Sequence, residues 1–479
     1  MSNKRLNRHQ RIILERIIII GTLILDTPTC LGNGDTDGPT DLMLLRDSIS
    51  SKALLTGASI AGALRNYLHE YQYGYDKDEM SCSLSTYLFG GMRKDEDGEQ
   101  SPIIIHDSIS NQTPKVELRD GVSIDIATGT AKKSQKYDLE LLAAGTGFTL
   151  YFELLIEKGK DRNQLLEALT ISLRGFQESE INIGMKKRRG FGYCHVEKWH
   201  VWEFKLDNFQ DRLAWLTFGK DDYQFNCNEN ILPSIGKIQD IFRQENRADQ
   251  RHRFSLKADF KITSSLLIRS AQFSTQFVPD VIHIKNNRNE LILPGTSFTG
   301  ILRHRAEKIV KTIRISTHFI NDIFGTGEED NQDAKSSRLV VKETVIQQSS
   351  CLIETRTAID RFTGGALHGA LFQEQPVFGG EKTLLTLDLE LREPSNREIG
   401  LLLLLLKDLW TSDLPIGGEI SIGRGRLQGV KAELKIFNQG NREEYWEIIQ
   451  QEDKLHISNI DTLEDFVRSL NESVQEVLA

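Results

Sequence analysis

Two stretches of the 479-residue sequence gather residue types that do chemistry. The first, "DTPTCLGNGDTDGPTDLMLLRD", holds Asp26, Asp35, Asp37, Asp41 and Asp47. Carboxylates at that density suit a hard divalent cation such as Mg2+, although Asp beside Gly and Pro also builds turns without any ion. The second, "IGMKKRRGFGYC", sets Lys186, Lys187, Arg188 and Arg189 against Gly190-Phe191-Gly192. A glycine turn lets backbone N–H groups approach a phosphate, and the flanking cations neutralise it, the guanidinium groups bidentately. No G-x-G-x-x-G opens a helix here and no Gly-Lys-Ser or Gly-Lys-Thr follows, which excludes a dinucleotide fingerprint and a P-loop. His195 and His200 fall on opposite faces of a strand-like segment and do not form a metal pair.

A formal charge of −9 excludes general affinity for nucleic acid, so any such contact must come from local basic clusters. The cysteines Cys30, Cys82, Cys194, Cys227 and Cys351 are scattered, without C-x-x-C and in odd number, which suits a reducing cytoplasm. "RIIIIGTLIL" is interrupted by charge and reads as a buried strand, not a signal peptide. "GLLLLLLKDLW" is too short to span a membrane and reads as a core helix.

The elements that must position these loops occur twice. "LLTGASIAGALRNYL" is echoed by "ILPGTSFTGILRHRA", with Gly57 opposite Gly295. "YLFGG" matches "DIFGTG", "VSIDIATGTA" matches "TAIDRFTGGA", and "KRRGFG" matches "SIGRGRLQG" with Arg189 opposite Arg424, these three at an offset of 235 residues. Four collinear matches imply a tandem duplication. Each half reads as a strand, a helix opening at Gly-x-Ser, short strands, a Thr-Gly turn, a strand, a leucine-rich helix, the Gly/Arg loop and a last strand. That order predicts an α+β fold, two tandem ferredoxin-like (RRM-like) units with helices on one face of an antiparallel sheet. The expected boundaries are 1–202 for the first unit, 203–251 for a linker, 252–436 for the second unit and 437–479 for a C-terminal helical extension.

In "LTGASIAGALR", "LPGTSFTGILR", "IDIATGTA", "IDRFTGGA" and the two Gly-rich loops the chain resembles the RAMP superfamily. More narrowly, it resembles backbone subunits of type III (III-D-like) CRISPR effector complexes, with two backbone units fused. The resemblance implies RAMP domains with thumb insertions near the "IDxxTG" segments, and a soluble cytoplasmic partner of guide CRISPR RNA, single-stranded target RNA and other effector subunits, with no membrane contact. It also implies that an acid ahead of the Gly-x-Ser helix cuts target RNA with Mg2+ or another divalent metal. In this sequence that pattern selects Asp41 in the first half and Asp280 in the second as catalytic and metal-binding, with Asp26, Asp35 and Asp37 next in line. The RNA-binding candidates are Ser59, Arg65, Lys186, Lys187, Arg188, Arg189, Gly190, Ser297, Arg303, Arg424 and Arg426, with Arg65 and Arg303 expected to be exposed. Helix capping by Ser59 and Ser297 and a solvated basic turn are the structural alternatives. Two other functions stay open: a non-catalytic filament subunit, and a metal-independent guide-processing endoribonuclease.

Overall fold

The computed structural model describes residues 11–34, 42–80, 83–91, 98–124, 131–219, 248–270, 279–326, 335–439, 442–452 and 454–478. The first half contains β1 (Ile13–Leu25), α1 (Gly57–Tyr73), β2 (Ile103–Ile105), β3 (Gly147–Glu157), α2 (Arg162–Gln177) and β4 (Cys194–Lys205). Its antiparallel sheet runs β2-β3-β1-β4. This is the β-α-β-β-α-β arrangement, with the first and third strands central. The run "RIIIIGTLIL" lies in β1 and is buried on both faces. Ile17, Ile19 and Leu23 meet α1 and α2, while Ile18 and Ile20 pack with Phe204 and, beyond it, Trp215 and Phe218.

The second half repeats the order in β5 (Arg253–Ile262), α3 (Gly295–Thr312), β6 (Leu339–Val341), β7 (Leu385–Arg392), α4 (Asn396–Trp410) and β8 (Leu427–Asn438). Its sheet is longer, β6-β7-β5-β8-β9-β10, where β9 is Arg442–Gln451 and β10 is Lys454–Ile457. The expected helical extension therefore opens with two strands, because "EEYWEIIQQ" carries aromatic and β-branched side chains that suit a pleated surface better than a helix. Only then comes α5 (Ile460–Leu478), where Phe466 packs on Trp446 and the α5 backbone closes on Gly400 of α4. The leucine-rich segment is buried as α4, under a Ser395/Glu398 capping box. Among the described residues no helix is long and apolar enough to cross a membrane.

Each half carries a hairpin inserted before its third core strand: Val116–Ile124 with Ala131–Leu142, and Glu354–Ile359 with Ala366–Gln375. The segment expected to be a linker is partly built into the fold. Helix Phe209–Thr217 covers the back of the first sheet, with Arg16 stacked 4.2 Å from the Trp215 ring centre. At its far end, Arg251 donates to Glu180 at 2.7 Å and Arg253 donates to the same carboxylate at 3.0 Å, so an acid of the first half clasps the start of the second.

Candidate nucleic-acid interface

The four cations fold as one 3-10 turn, Lys187–Arg189, entered through Lys186 and left through Gly190, both in left-handed backbone with φ of 55° and 87°. A methyl group at Gly190 would stand 2.6 Å from the Glu343 nitrogen. One at Gly295, the first residue of α3, would meet the Arg189 carbonyl oxygen at 2.7 Å. The turn is thus seated on the second half, between the start of α3 and the end of β6. Arg119 of the first hairpin locks this joint, donating two hydrogen bonds to Glu343 at 3.0 and 3.1 Å with Glu117 alongside.

The seat determines the electrostatics. Lys186 lies 3.7 Å from the centre of the Tyr137 ring, and exposed Arg189 donates to the Tyr137 hydroxyl at 3.2 Å. Burial pushes the Lys186, Lys187 and Arg188 pKa values down, with Arg189, Arg188 and Arg392 respectively adding repulsion. Among the described residues no carboxylate bonds Lys187 or Arg188. Glu70 attracts both from a distance, as Glu390 does Arg188, but without a hydrogen bond; half-buried cations so weakly compensated are stabilised by any anion that reaches them, and a phosphate oxygen can accept from several at once.

The second half builds the same backbone from other side chains. Turn Ile420–Ile422 is entered through Glu419 at φ 59° and left through Gly423 at φ 90°. Gly192 and Gly425 then each face a carbonyl so closely, Ile183 and Ile416, that neither admits a side chain. The equivalences are therefore Gly190 with Gly423 and Gly192 with Gly425. The expected match of Arg189 with Arg424 is displaced by two residues, because a shared Arg-Gly dipeptide outweighs the Gly-x-Gly spacing when letters alone are compared. The structural partner of Arg189 is Ile422, and that of Arg424 is Phe191.

Arg424 is 2% exposed. It binds Glu354 at 2.7 Å, Glu374 at 3.1 Å and Glu419 at 2.7 Å. At the matching place in the first half, Phe191 shares an apolar cluster with Leu139, Leu141 and Cys30. Strand pairing puts Leu139 opposite Arg119 and Glu374 opposite Glu354. An apolar contact in one half is thus a buried ion pair in the other, exchanged in register. Burial and the neighbouring Glu419 push the Glu374 pKa up. Burial also works to raise the Glu419 pKa, but its hydrogen bond with Glu374 and the guanidinium groups of Arg424, Arg356 and Arg269 outweigh it and hold Glu419 below the usual range. Arg426, by contrast, is exposed.

At the helix starts, the α1 cap is Thr56, which accepts from the Ser59 N–H at 3.2 Å, and α3 begins after Pro294. Ser59 and Ser297 are first-turn residues, not caps. A methyl group at Gly62 or Gly300 would touch nothing, so packing does not demand glycine there and the face is open to a closely approaching ligand. Arg65 and Arg303 are half-buried, not exposed. Arg65 bonds Glu79 at 2.9 Å, while Arg303 donates to the Gly325 carbonyl at 3.0 Å and to Asn321 at 2.9 Å.

Of the acids, Asp35, Asp37 and Asp41 lie outside the described residues. Asp26 sits 2.7 Å from His195 Nδ1, at the end of β1. Exposed Asp280 accepts from the Gln373 N–H at 2.8 Å through Oδ2, beside the second hairpin. Its chain neighbour Val281 pairs in parallel with Glu374, as Leu42, the neighbour of Asp41, pairs in parallel with Leu139. Among the described residues no three His, Cys, Asp or Glu side chains converge on one ion position.

Sequence reasoning did not single out Phe362. The Asp360 carboxylate accepts from the N–H groups of Phe362 and Thr363, both at 2.8 Å, and the Asp360 N–H donates to Gly365. This closed turn at the tip of the second hairpin holds the Phe362 ring 92% exposed. A bulky aromatic inside an Asp-Arg-Phe-Thr-Gly-Gly turn was the available signal. The matching tip, with Asp125, Thr128 and Gly129, lies outside the described residues.

A family model of the RAMP superfamily matches residues 22–195 and 259–428, one segment in each half. No curated protein matches the chain.

Proposed function

Because the chain belongs to the RAMP superfamily of CRISPR-associated RNA-binding proteins, we propose that it is a two-unit backbone subunit of a type III, III-D-like effector complex. Each half grips the guide CRISPR RNA, the guide pairs with a single-stranded target RNA, and the target is cut beside each hairpin. The observation that carries this reading is the second hairpin tip. A fully exposed Phe on a closed turn gains nothing within the chain, and a nucleobase stacked on such a ring contributes about 1–3 kcal/mol without regard to sequence. The open faces at Gly62 and Gly300 and the under-compensated cations of the first turn supply phosphate contacts, while base pairing supplies specificity.

Asp280, and by the matching strand pairing Asp41, would hold a divalent ion such as Mg2+. Asp280 fits that role. One carboxylate oxygen is anchored by Gln373 and the other accepts no bond among the described residues. Mg2+ ordinarily takes one or two carboxylates and fills its other positions with water and phosphate oxygens. When bound, such an ion supplies charge neutralisation at the scissile phosphate. The Asp280 anchor keeps the carboxylate fixed against the hairpin that positions the target.

The test begins with nucleic acid co-purifying with the chain, expected to be short RNA of uniform 5′ sequence. Phe362→Ala should leave guide content unchanged and weaken target binding about tenfold. A chain that carries no RNA and binds none at low salt would contradict the proposal. RNA cutting that persists in a chelator would instead favour a metal-independent processing enzyme.

A further inference from the structure

The second half lacks the cations of the first turn. Ile420, Ser421 and Ile422 stand where Lys187, Arg188 and Arg189 stand in the first half, and Arg424 faces carboxylates. Its free positive charge lies on α3 instead. Residues three or four apart on a helix share a face, and Ser297, Gly300, His304, Lys308 and Lys311 make one such stripe. It lies opposite the side that buries Phe298, Leu302, Ala306 and Val310, and it runs for about 20 Å. His304, Lys308 and Lys311 are exposed. Other cations of the helix are engaged, Arg303 with Glu307 at 3.3 Å and Arg305 with Asp408 at 2.6 Å. Among the described residues no carboxylate pairs with Lys308 or Lys311.

The same positions of α1 are Ser59, Gly62, Asn66, Glu70 and Tyr73, with no cation among them. Asn66 donates to Glu70 at 2.9 Å, and Glu70 pairs with Arg392 of the second half at 3.4 Å. Glu70 also attracts Lys187 and Arg188 from a distance, so the far end of this helix and the turn are electrostatic neighbours. Charge has been exchanged between them. The first half sets a basic turn near an acidic helix position, and the second sets the uncharged run 420–422 near a basic one. Complementing the helix dipole accounts for Lys311 in the last turn, but that effect fades within one turn and does not account for Lys308.

We infer that in the second half the phosphate contact has moved from the turn to α3, where His304, Lys308 and Lys311 track the backbone of the bound RNA. The inference deepens the RNA-binding reading and rests on it. A row of cations that continues from Gly300, whose face is open to close approach, matches a strand of phosphates, which also presents its charges in a row. Lysine ammonium groups serve a phosphate as point charges, without the fixed fork of a guanidinium.

The test follows the binding of a fluorescently labelled single-stranded RNA to the full chain, stripped of co-purified RNA, as salt is raised. Lys308→Ala combined with Lys311→Ala should weaken binding about tenfold and flatten the salt slope by about one to two units. Lys308→Arg with Lys311→Arg keeps the charges and should keep the wild-type slope. Lys257→Ala with Lys261→Ala removes as much charge from exposed positions on the other face of the second sheet, and should change the slope far less. Equal losses from the two alanine pairs would overturn the inference, since bulk charge alone would then explain them. An unchanged slope in the α3 pair, while alanines in the turn 186–189 flatten it, would overturn it too and leave the RNA reading standing. A wild-type chain that binds no RNA at low salt would overturn both.

Discussion

The turns at 186–190 and 419–423 trace the same backbone in two environments. In the first half it is cationic, half-buried and seated on the neighbouring unit. In the second it is apolar at Ile420 and Ile422, acidic at Glu419, and faces solvent. The paired glycines persist because left-handed backbone and tight approach to a carbonyl admit little else. Side chains around them were free to be reassigned by whatever each turn meets. Duplication here preserved a joint's geometry and changed its chemistry.

The largest effect that could break the comparison comes from the two buried arginines. Arg119→Ala leaves Glu343 and Glu117 buried without a counter-charge and should cost about 3–5 kcal/mol in denaturant titrations, whereas Arg424→Ala leaves Glu374 with Arg356 at 3.4 Å and should cost less. Only Arg119→Ala removes a lock between halves, and it alone should split the thermal transition in calorimetry. Splitting in both variants, or in neither, would erase the distinction.

Next in size is the pH dependence of the Glu180 clasp. Burial alone would raise this carboxyl, but Arg251, Arg253 and the Tyr67 hydroxyl outweigh it and bring its pKa down to about 2. An ordinary Glu titrates near 4.3 when unfolded, so the clasp's stabilisation, on the order of 3 kcal/mol, is fully present above that value and is lost as pH falls toward 2. Glu180→Gln should remove this part of the acid destabilisation. Its counterpart Asp413 is exposed, and although the hydrogen bonds of Thr411 and Lys407 also hold its carboxyl below the usual range, solvent screens them, so Asp413→Asn should change the acid limb of the stability curve far less than Glu180→Gln.

How legible this was depended on the kind of constraint. Gly57 with Gly295, and Gly90 with Gly325, could be matched across the halves because close backbone contacts hold them in place. The core strands and leucine-rich helices declared themselves by alternation and apolar density, and the β9–β10 addition was missed where a charged segment hid its alternation. The joint left no such mark. Arg119 and Glu343 are far apart in sequence and neither belongs to a periodic pattern, so nothing in the letters pairs them. The burial of Arg424 was equally hidden, since a Gly-Arg-Gly run looks the same whether the guanidinium meets phosphate or three carboxylates.

A smaller effect sharpens the comparison at the glycines themselves. Gly423→Ala should cost only the left-handed backbone penalty, about 1–2 kcal/mol. Gly190→Ala adds a clash with the Glu343 backbone and should exceed it by about 1–3 kcal/mol in the same titration. Smallest in stability, and informative about RNA, is the replacement of Lys186, Lys187, Arg188 and Arg189 by Ala. It should flatten the salt dependence of RNA binding by about one unit of slope for each phosphate no longer neutralised, whereas Arg424→Ala should leave the slope unchanged because that side chain faces carboxylates.

The central claim, two equivalent units each acting on one position of a guide-bound target, is tested most directly by mapping target-RNA products from the wild-type chain, Asp41→Ala and Asp280→Ala in Mg2+. Two cuts at a constant spacing are expected, with each substitution erasing one cut and leaving target binding nearly intact, and with both cuts abolished by a chelator. An unchanged product pattern in both variants would contradict it.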